Sequence, residues 1–399
     1  MLLATTFLSW GGFFAVVPLI SVHYVDQLGW TAASVGLVLA VRQFMQQGIS
    51  SLTGAVADRI GPKPLICFGM VIRISSFLLL AIADTYPLVL ASAMLMALGG
   101  GFYESPQAAA TAALTTPENR RRYFALSGTV GGLGTSLGTQ AGALLLGVNF
   151  ATVAMIGAVA FVIILIVNLL FLPSISVSVG NHSAAAGLKL AVNDRLFIGF
   201  NVLLMGFWFM WTQFSISLPL MATDISGSTT AVAWVYAVNS GVTVFLGYLL
   251  PRLLERRLSN FRMLIAGITL NAIGMMAIGW AGSLTALLLC VLVLSIGMVL
   301  ARPGQQTITA GLARPEALGA FMGIGQLSLA VGGGAGNFFG GVVYDLGVNR
   351  DVAWLPWVVF GTIGLTSAFG LTRIRGALDR RQEEMERIAE AELELATAS

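Results

Sequence analysis

The sequence predicts an all-α membrane protein: twelve transmembrane helices in two pseudo-symmetric six-helix bundles. Three observations carry that prediction. Hydrophobic residues make up 57% of the 399-residue chain and charged residues only 10%, with a mean hydropathy of +0.86. A soluble domain carries about a quarter charged residues, so this surface is suited to lipid. Apolar stretches of about 20 residues, the length that crosses a bilayer core, recur along the whole chain with short loops between them. Finally, Gly134, Gly138 and Gly142 recur as Gly332, Gly336 and Gly340, an offset of 198 residues that divides the chain into two similar halves.

Hydropathy places the spans near 2–22, 32–54, 64–83, 87–112, 124–148, 151–172, 195–222, 231–250, 262–281, 284–311, 319–345 and 354–374. Residues 1–172 then form an N-terminal bundle, 173–194 a cytoplasmic linker rich in Ser, Ala and Val, 195–374 a C-terminal bundle, and 375–399 a charged cytoplasmic tail helix, solvated or lying on the membrane surface. An even number of crossings puts both termini on one side. Of the 21 Lys and Arg residues, 17 lie in the even-numbered loops and the tail, so the positive-inside rule makes that side cytoplasmic. Asp26, Asp84, Asp224, Asp345 and Asp351 fall at the outer surface, and Asp26 and His23 read as exposed loop residues. The expected location is the bacterial cytoplasmic (inner) membrane, multi-pass.

The net charge of +3 therefore reflects topology, and no basic patch points to nucleic acid. The chain opens on Met1-Leu2-Leu3 without a basic leader region, which argues against a cleaved signal. Cys67 and Cys290 fall within spans at no disulfide-like or metal-like spacing and read as small apolar fillers. Both histidines, His23 and His182, fall in loops and one acid is buried, so neither a metal site nor an aspartyl dyad can be assembled. No enzyme activity, metal or cofactor is expected.

The spacing of four in each glycine triplet puts its members on one helix face, where small residues let backbones approach within lipid. Upstream of them Ser105-Pro106 and Pro117-Glu118 match Arg302-Pro303 and Pro315-Glu316, with one residue of slippage between the pairs. Parallel repeats of this kind belong to transporters whose substrate site lies between the halves and whose access alternates as the halves rock.

Between the second and third spans runs Gly54-Ala-Val-Ala-Asp58-Arg59-Ile-Gly61-Pro62-Lys63-Pro64. Gly54 allows close helix contact, Gly61 a tight reversal, and the prolines start the next helix. Asp58 adds nothing to the positive-inside rule, so it suggests a specific contact, either with the positive N-terminal end of a helix in the other half or with Arg59 and the Arg120, Arg121 and Arg122 cluster. Gly54, Asp58, Arg59, Gly61, Lys63, Arg121 and Arg122 are the candidate cytoplasmic gate; for Lys63 a purely topological role stays open. The second half has Pro251 where Asp58 stands, so any latch here is asymmetric.

Arg42, Arg73, Glu104 and Arg302 lie within spans, where an unpaired charge costs at least a few kcal/mol and function is the default reading. Glu104, the acid well inside the membrane, is the candidate proton-coupling site; the competing reading is a structural ion pair with Arg42 or Arg302. Glu104 and Arg302 occupy matching places next to Pro106 and Pro303, which suggests a central polar pair. Arg42, Arg302, Gln46, Trp208, Trp211 and Tyr236 are the candidate central-cavity residues, while Arg73 is assigned no function.

The turn from Gly54 to Pro64 resembles the loop signature of the major facilitator superfamily. Gly134, Gly138 and Gly142 resemble the fifth-span motif of its proton-driven exporters, with Thr139 in place of Pro and Ala143 in place of the last Gly. Gly12 and Pro18 are similar to the first-helix pattern of twelve-helix drug:proton antiporters. Pro18 to Ser21, Val25 to Trp30, Arg42 to Gly48 and Tyr344 to Gly347 look like the MdtH-type multidrug exporters within that superfamily; the chain departs from that pattern at Gln107 and Arg302. The resemblance implies alternating-access export of lipophilic or cationic small molecules in exchange for protons. Expected partners are a small-molecule substrate and the lipid bilayer, with the protein a monomer. A carrier of a lipid, sugar or other nutrient shares the architecture, and an intramembrane enzyme is the alternative from another class. A buried acid favours cations, whereas Arg302 in the cavity would favour anions.

Overall fold

The computed structural model describes residues 1–114, 117–173, 184–255, 257–313 and 318–398; within them the side chains at 51–52, 54–55, 58–59, 109, 112–113, 117–122, 124–125, 184–188, 310, 318–320, 322, 382–383 and 385–398 lie outside the description. The first half comprises α1 (Leu2–Ser21), α2 (Ala32–Ile60), α3 (Pro62–Leu80), α4 (Tyr86–Leu114), α5 (Pro117–Leu146) and α6 (Phe150–Phe171). After a short α7 (Ala184–Asn193) come α8 (Arg195–Trp211), α9 (Ser217–Ser226), α10 (Thr230–Leu246), α11 (Leu249–Leu254), α12 (Asn260–Ile278), α13 (Leu284–Leu312), α14 (Leu318–Asn349) and α15 (Leu355–Ala398). With α8 and α9 forming one crossing and α10 and α11 another, these helices make the twelve passages of two six-span halves.

Local chemistry sets the helix ends. Thr31, Asn149, Asp194 and Ser259 each accept a backbone N–H with the side chain and start α2, α6, α8 and α12. Gly61 closes α2 at φ +83°, a value glycine reaches without strain, and Pro62 opens α3 at its first position. Large apolar side chains such as Leu144, Leu170, Phe171, Phe245 and Trp280 stay exposed along the outer faces, as contact with lipid requires.

Within the first half α1 packs on α5 and α6, α3 on α4 and α6, and α2 on α4; within the second, α8 packs on α14 and α15, α12 on α13 and α15, and α10 on α13. Two seams join the halves, α2 against α14 and α5 against α10. Among the described residues eight helical stretches are long and apolar enough to cross a membrane by themselves. The four crossings outside that set are α2, α5, α10 and α14, the seam helices. In α2, α5 and α14 small and polar residues lower the hydropathy, as packing against another helix rather than lipid allows, whereas α10 is apolar but only 17 residues long.

The glycine triplets show how closely the halves match. A Cβ at Gly134, Gly138 or Gly142 would meet the backbone of α1 at Phe7, Gly11 and Ala15; one at Gly332, Gly336 or Gly340 would meet α8 and the turn after it at Met205, Phe209 and Gln213. Each contact partner in the second half stands 198 residues after its counterpart in the first.

Four details differ from the sequence expectation. The first span continues through a π-helical turn, Val22–Gln27, so His23 and Asp26 are helical rather than in a loop; His23 stacks on Phe150 at 4.2 Å between ring centres. The seventh span, expected as one helix over 195–222, is broken by a 3₁₀ turn at Thr212–Ser215 and a non-helical Ile216. Helical structure of the eighth passes residue 250 as α11. The tail is no separate helix: α15 runs unbroken from the last span, and Arg381 reaches Asp194 before α8 at 3.6 Å.

The prolines account for two cross-helix bonds. Pro219 has no N–H to offer the carbonyl of Ser215, and that oxygen accepts from the Ser21 hydroxyl of the other half at 3.2 Å. Pro18 likewise leaves the Phe14 carbonyl free, and Thr139 of α5 donates to it at 3.1 Å.

Candidate functional site

Glu104 and Arg302 each stand eighteen residues from the outer starts of α4 and α13, about 27 Å along the helix axis at the usual rise. Both are solvent-exposed, yet each lies on a helix face directed into the protein. One turn outward from Glu104, Gly100 is buried against Gln46 and Arg73. Along the Arg302 face, Ser295 is buried and donates to Asn239 of α10, and Met298 and Val299 are buried as well. The exposure therefore begins at Glu104 and Arg302 on faces that are sealed further out, which among the described residues outlines a vestibule between the halves that is closed on the outer side.

The seams agree. A Cβ at Gly36 would strike the Asn337 carbonyl and one at Gly341 the Ala32 carbonyl, so α2 and α14 nearly touch at their outer ends. Gly334 rests against Phe44 in mid-helix, whereas on the same face of α14 three turns further in a Cβ built at Gly323 has, among the described residues, nothing within 4 Å. Outer closure is reinforced by polar contacts across the halves. Asp345 of α14 accepts from the Ala32 and Ala33 amides at 2.8 Å each, and Thr223 donates to Asp26 at 2.7 Å. A carboxylate on the free amides and positive dipole end of α2 is worth about 0.3–2 kcal/mol.

In the first half, Arg42 donates to Gln46 at 2.8 Å and to Gln43 at 3.3 Å, and Gln46 passes the connection to Glu104 at 2.5 Å. Phe13 lies beneath both Arg42 and Arg73, at 5.2 and 5.5 Å, and Phe161 lies 5.0 Å from Arg73. Such rings offset part of the cost of a guanidinium taken from water. Among the described residues no ion pair involves Glu104, so the expected pairs with Arg42 and Arg302 are not formed: an amide relays the first, and Arg302 faces the opening from the other half.

The remaining cavity candidates divide. Arg302 lies 5.9 Å from both Trp208 and Trp211, whose rings meet edge to face at 87°. Trp211 is half-buried, but Trp208, Arg42 and Gln46 belong to the wall rather than the open surface. Tyr236 is a core residue, 1% exposed, donating to the Phe214 carbonyl at 2.6 Å; it lines nothing.

The whole arrangement is that of known carriers. A family model described as Major Facilitator Superfamily matches residues 2–337 and 208–395. This chain belongs to the major facilitator superfamily. It is 36% identical over 356 residues to the multidrug resistance protein MdtH of Aeromonas hydrophila, covering 89% of this chain and 90% of the relative. The protein of the same name from Photorhabdus laumondii is 36% identical over 362 residues, 91% of this chain and 90% of the relative. Among solved structures, a POT family transporter superposes with a TM-score of 0.78 at 15% identity over 94% of this chain and 96% of that one. The nucleoside transporter NupG gives 0.78 at 15% identity over 94% and 98%. As a member of this superfamily the protein is a multi-pass secondary transporter acting on a small-molecule substrate.

Against the superfamily's loop signature, Gly61 makes the turn and Lys63 donates to the Leu169 carbonyl at 3.0 Å, a contact inside its own half. Gly54, Asp58 and Arg59 lie at the end of α2 and Arg121 and Arg122 at the start of α5; what their side chains touch lies outside the described residues. Sequence reasoning missed Phe13 beneath the arginines and the bonds of Asp345 and Asp26. For Ser21 a signal existed: Pro219 implies an orphan carbonyl at Ser215.

Proposed function

We propose that this carrier exports lipophilic small molecules from the bacterial cytoplasm in exchange for protons, as a monomer with both termini cytoplasmic and no cofactor beyond the coupling proton. Glu104 takes up and releases that proton. One observation carries this reading: Glu104 is an acid open to the vestibule, tied to the protein through the neutral Gln46 amide rather than through an ion pair. A carboxylate locked to arginine would stay charged; one held by an amide can accept a proton while its neighbours keep their places. The name shared by the relatives supports a drug-like substrate.

Proton uptake at Glu104 also changes the charge next to Arg42, so the hydrogen-bonded line from Glu104 through Gln46 reaches from the vestibule into the wall beneath α2. The test is Glu104→Gln in proteoliposomes. Export driven by a pH gradient is expected to fall to background while the melting temperature and substrate binding hold. Full pH-driven export by the variant would overturn the coupling role.

A further inference from the structure

We infer that the corner formed by Arg302, Trp208 and Trp211 is the substrate subsite for an anionic group, and that the preferred cargo is a flat aromatic carboxylate. The inference rests on the exporter reading and names its substrate class. Around the vestibule the first half places two guanidinium groups, Arg42 and Arg73, beside one carboxylate, Glu104. The second half supplies Arg302 and, among the described residues, no acid to match it. Positive charge is therefore in excess by one in each half, and of the three arginines Arg302 alone is exposed.

Arg302 differs from the other two arginines. Arg42 and Arg73 are buried in the wall, whereas Arg302 is exposed to the vestibule and, among the described residues, takes part in no ion pair or hydrogen bond. A guanidinium presents five donors in a planar fork that fits a carboxylate. Here that fork has two indole faces within 5.9 Å and no acceptor. Trp208, 6% exposed and with its indole N–H buried, backs this corner as part of the wall. The edge-to-face setting leaves the half-buried Trp211 ring as a platform for a flat aromatic body. A ligand that brings an acceptor pair and a ring satisfies the Arg302 fork and the Trp211 platform together. Exchange of an anion outward for a proton inward moves two positive charges into the cell per cycle, so the membrane potential adds to the pH gradient.

Calorimetry on the full-length protein in nanodiscs of zwitterionic lipid tests the site with naphthoate, neutral naphthamide and a naphthylmethyl-trimethylammonium salt. Naphthoate is expected to bind about tenfold more tightly than the amide, the usual effect of a charge-assisted hydrogen bond, and the ammonium salt most weakly. Arg302→Gln should bring naphthoate to the level of the amide and leave amide binding intact; Arg302→Lys should keep the order. Equal or tighter binding of the amide or the cation by the unmodified protein overturns the proposal, as does a naphthoate preference that survives Arg302→Gln. If the Gln variant binds none of the three, the Lys variant decides, and loss of the preference there also overturns it. Transport is read separately: failure of pH-driven efflux with the naphthoate preference intact sinks the exporter reading and leaves the subsite standing, whereas efflux without the preference does the reverse.

Discussion

The two ends of the α2 and α14 seam are opposites. At the outer end the backbones touch at Gly36 and Gly341, and Asp345 of α14 sits on the first amides of α2. Toward the inner end no described atom lies within 4 Å of a Cβ built at Gly323. Helix polarity explains why one pair can close at either end. The antiparallel helices bring an N-terminus of one beside the far end of the other, so an acid late in α14 meets the start of α2, and an acid late in α2 can meet the start of α14. Asp58 stands late in α2, and α14 starts at Leu318. Asp345 and Asp58 are therefore the two acids at which to test whether the helices exchange roles during alternating access.

Breaking the outer contact sterically should have the largest effect. Gly341→Leu drives a side chain into the Ala32 carbonyl, and at about 3 kcal/mol of overpacking the closed outer end should become roughly a hundredfold rarer. Spin labels at the exposed Gln27 and Ser228 would report this as a shift to longer distances. A distribution like that of the parent would show that the close approach does not set the conformation. Asp345→Asn removes charge but little volume. A loss of about 1 kcal/mol predicts a fivefold rise in the long-distance population, measured the same way; no rise would reduce Asp345 to a passive cap.

Asp58→Asn sharpens the comparison from the other end and is expected to be smallest. It should slow turnover by about twofold to fivefold at unchanged substrate affinity, because the latch acts on a state and not on the ligand. Combined with Asp345→Asn it should return the label distances toward those of the parent, since the two changes destabilise opposite states. Weaker binding with normal turnover would remove the latch.

Much of this was readable in advance because lipid imposes a simple rule. A span must be apolar for about 20 residues, and basic loops must stay inside, so the passages and the charge asymmetry follow from counting. The internal repeat was equally visible, and its offset of 198 residues reappears in the contacts of all six glycines. Hydropathy could not show that the seventh passage breaks at Ile216, because that break depends on Pro219 and on Ser21 arriving from the other half. Nor could spacing show that Gln46 stands between Arg42 and Glu104, since residues on α2 and α4 meet only through packing.

By itself, then, the chain of amino acids determined residence in the bilayer, the number of crossings, their duplication and the identity of the intramembrane charges, all of which arise from the cost of moving each residue out of water. Tertiary structure alone decided which of those charges meet, that Glu104 and Arg302 face a shared opening without pairing, that Tyr236 fills the core, and that the outer seam is the closed one. Those outcomes are differences of a few kcal/mol between alternative packings of the same helices, and they are settled by contacts between residues far apart in sequence.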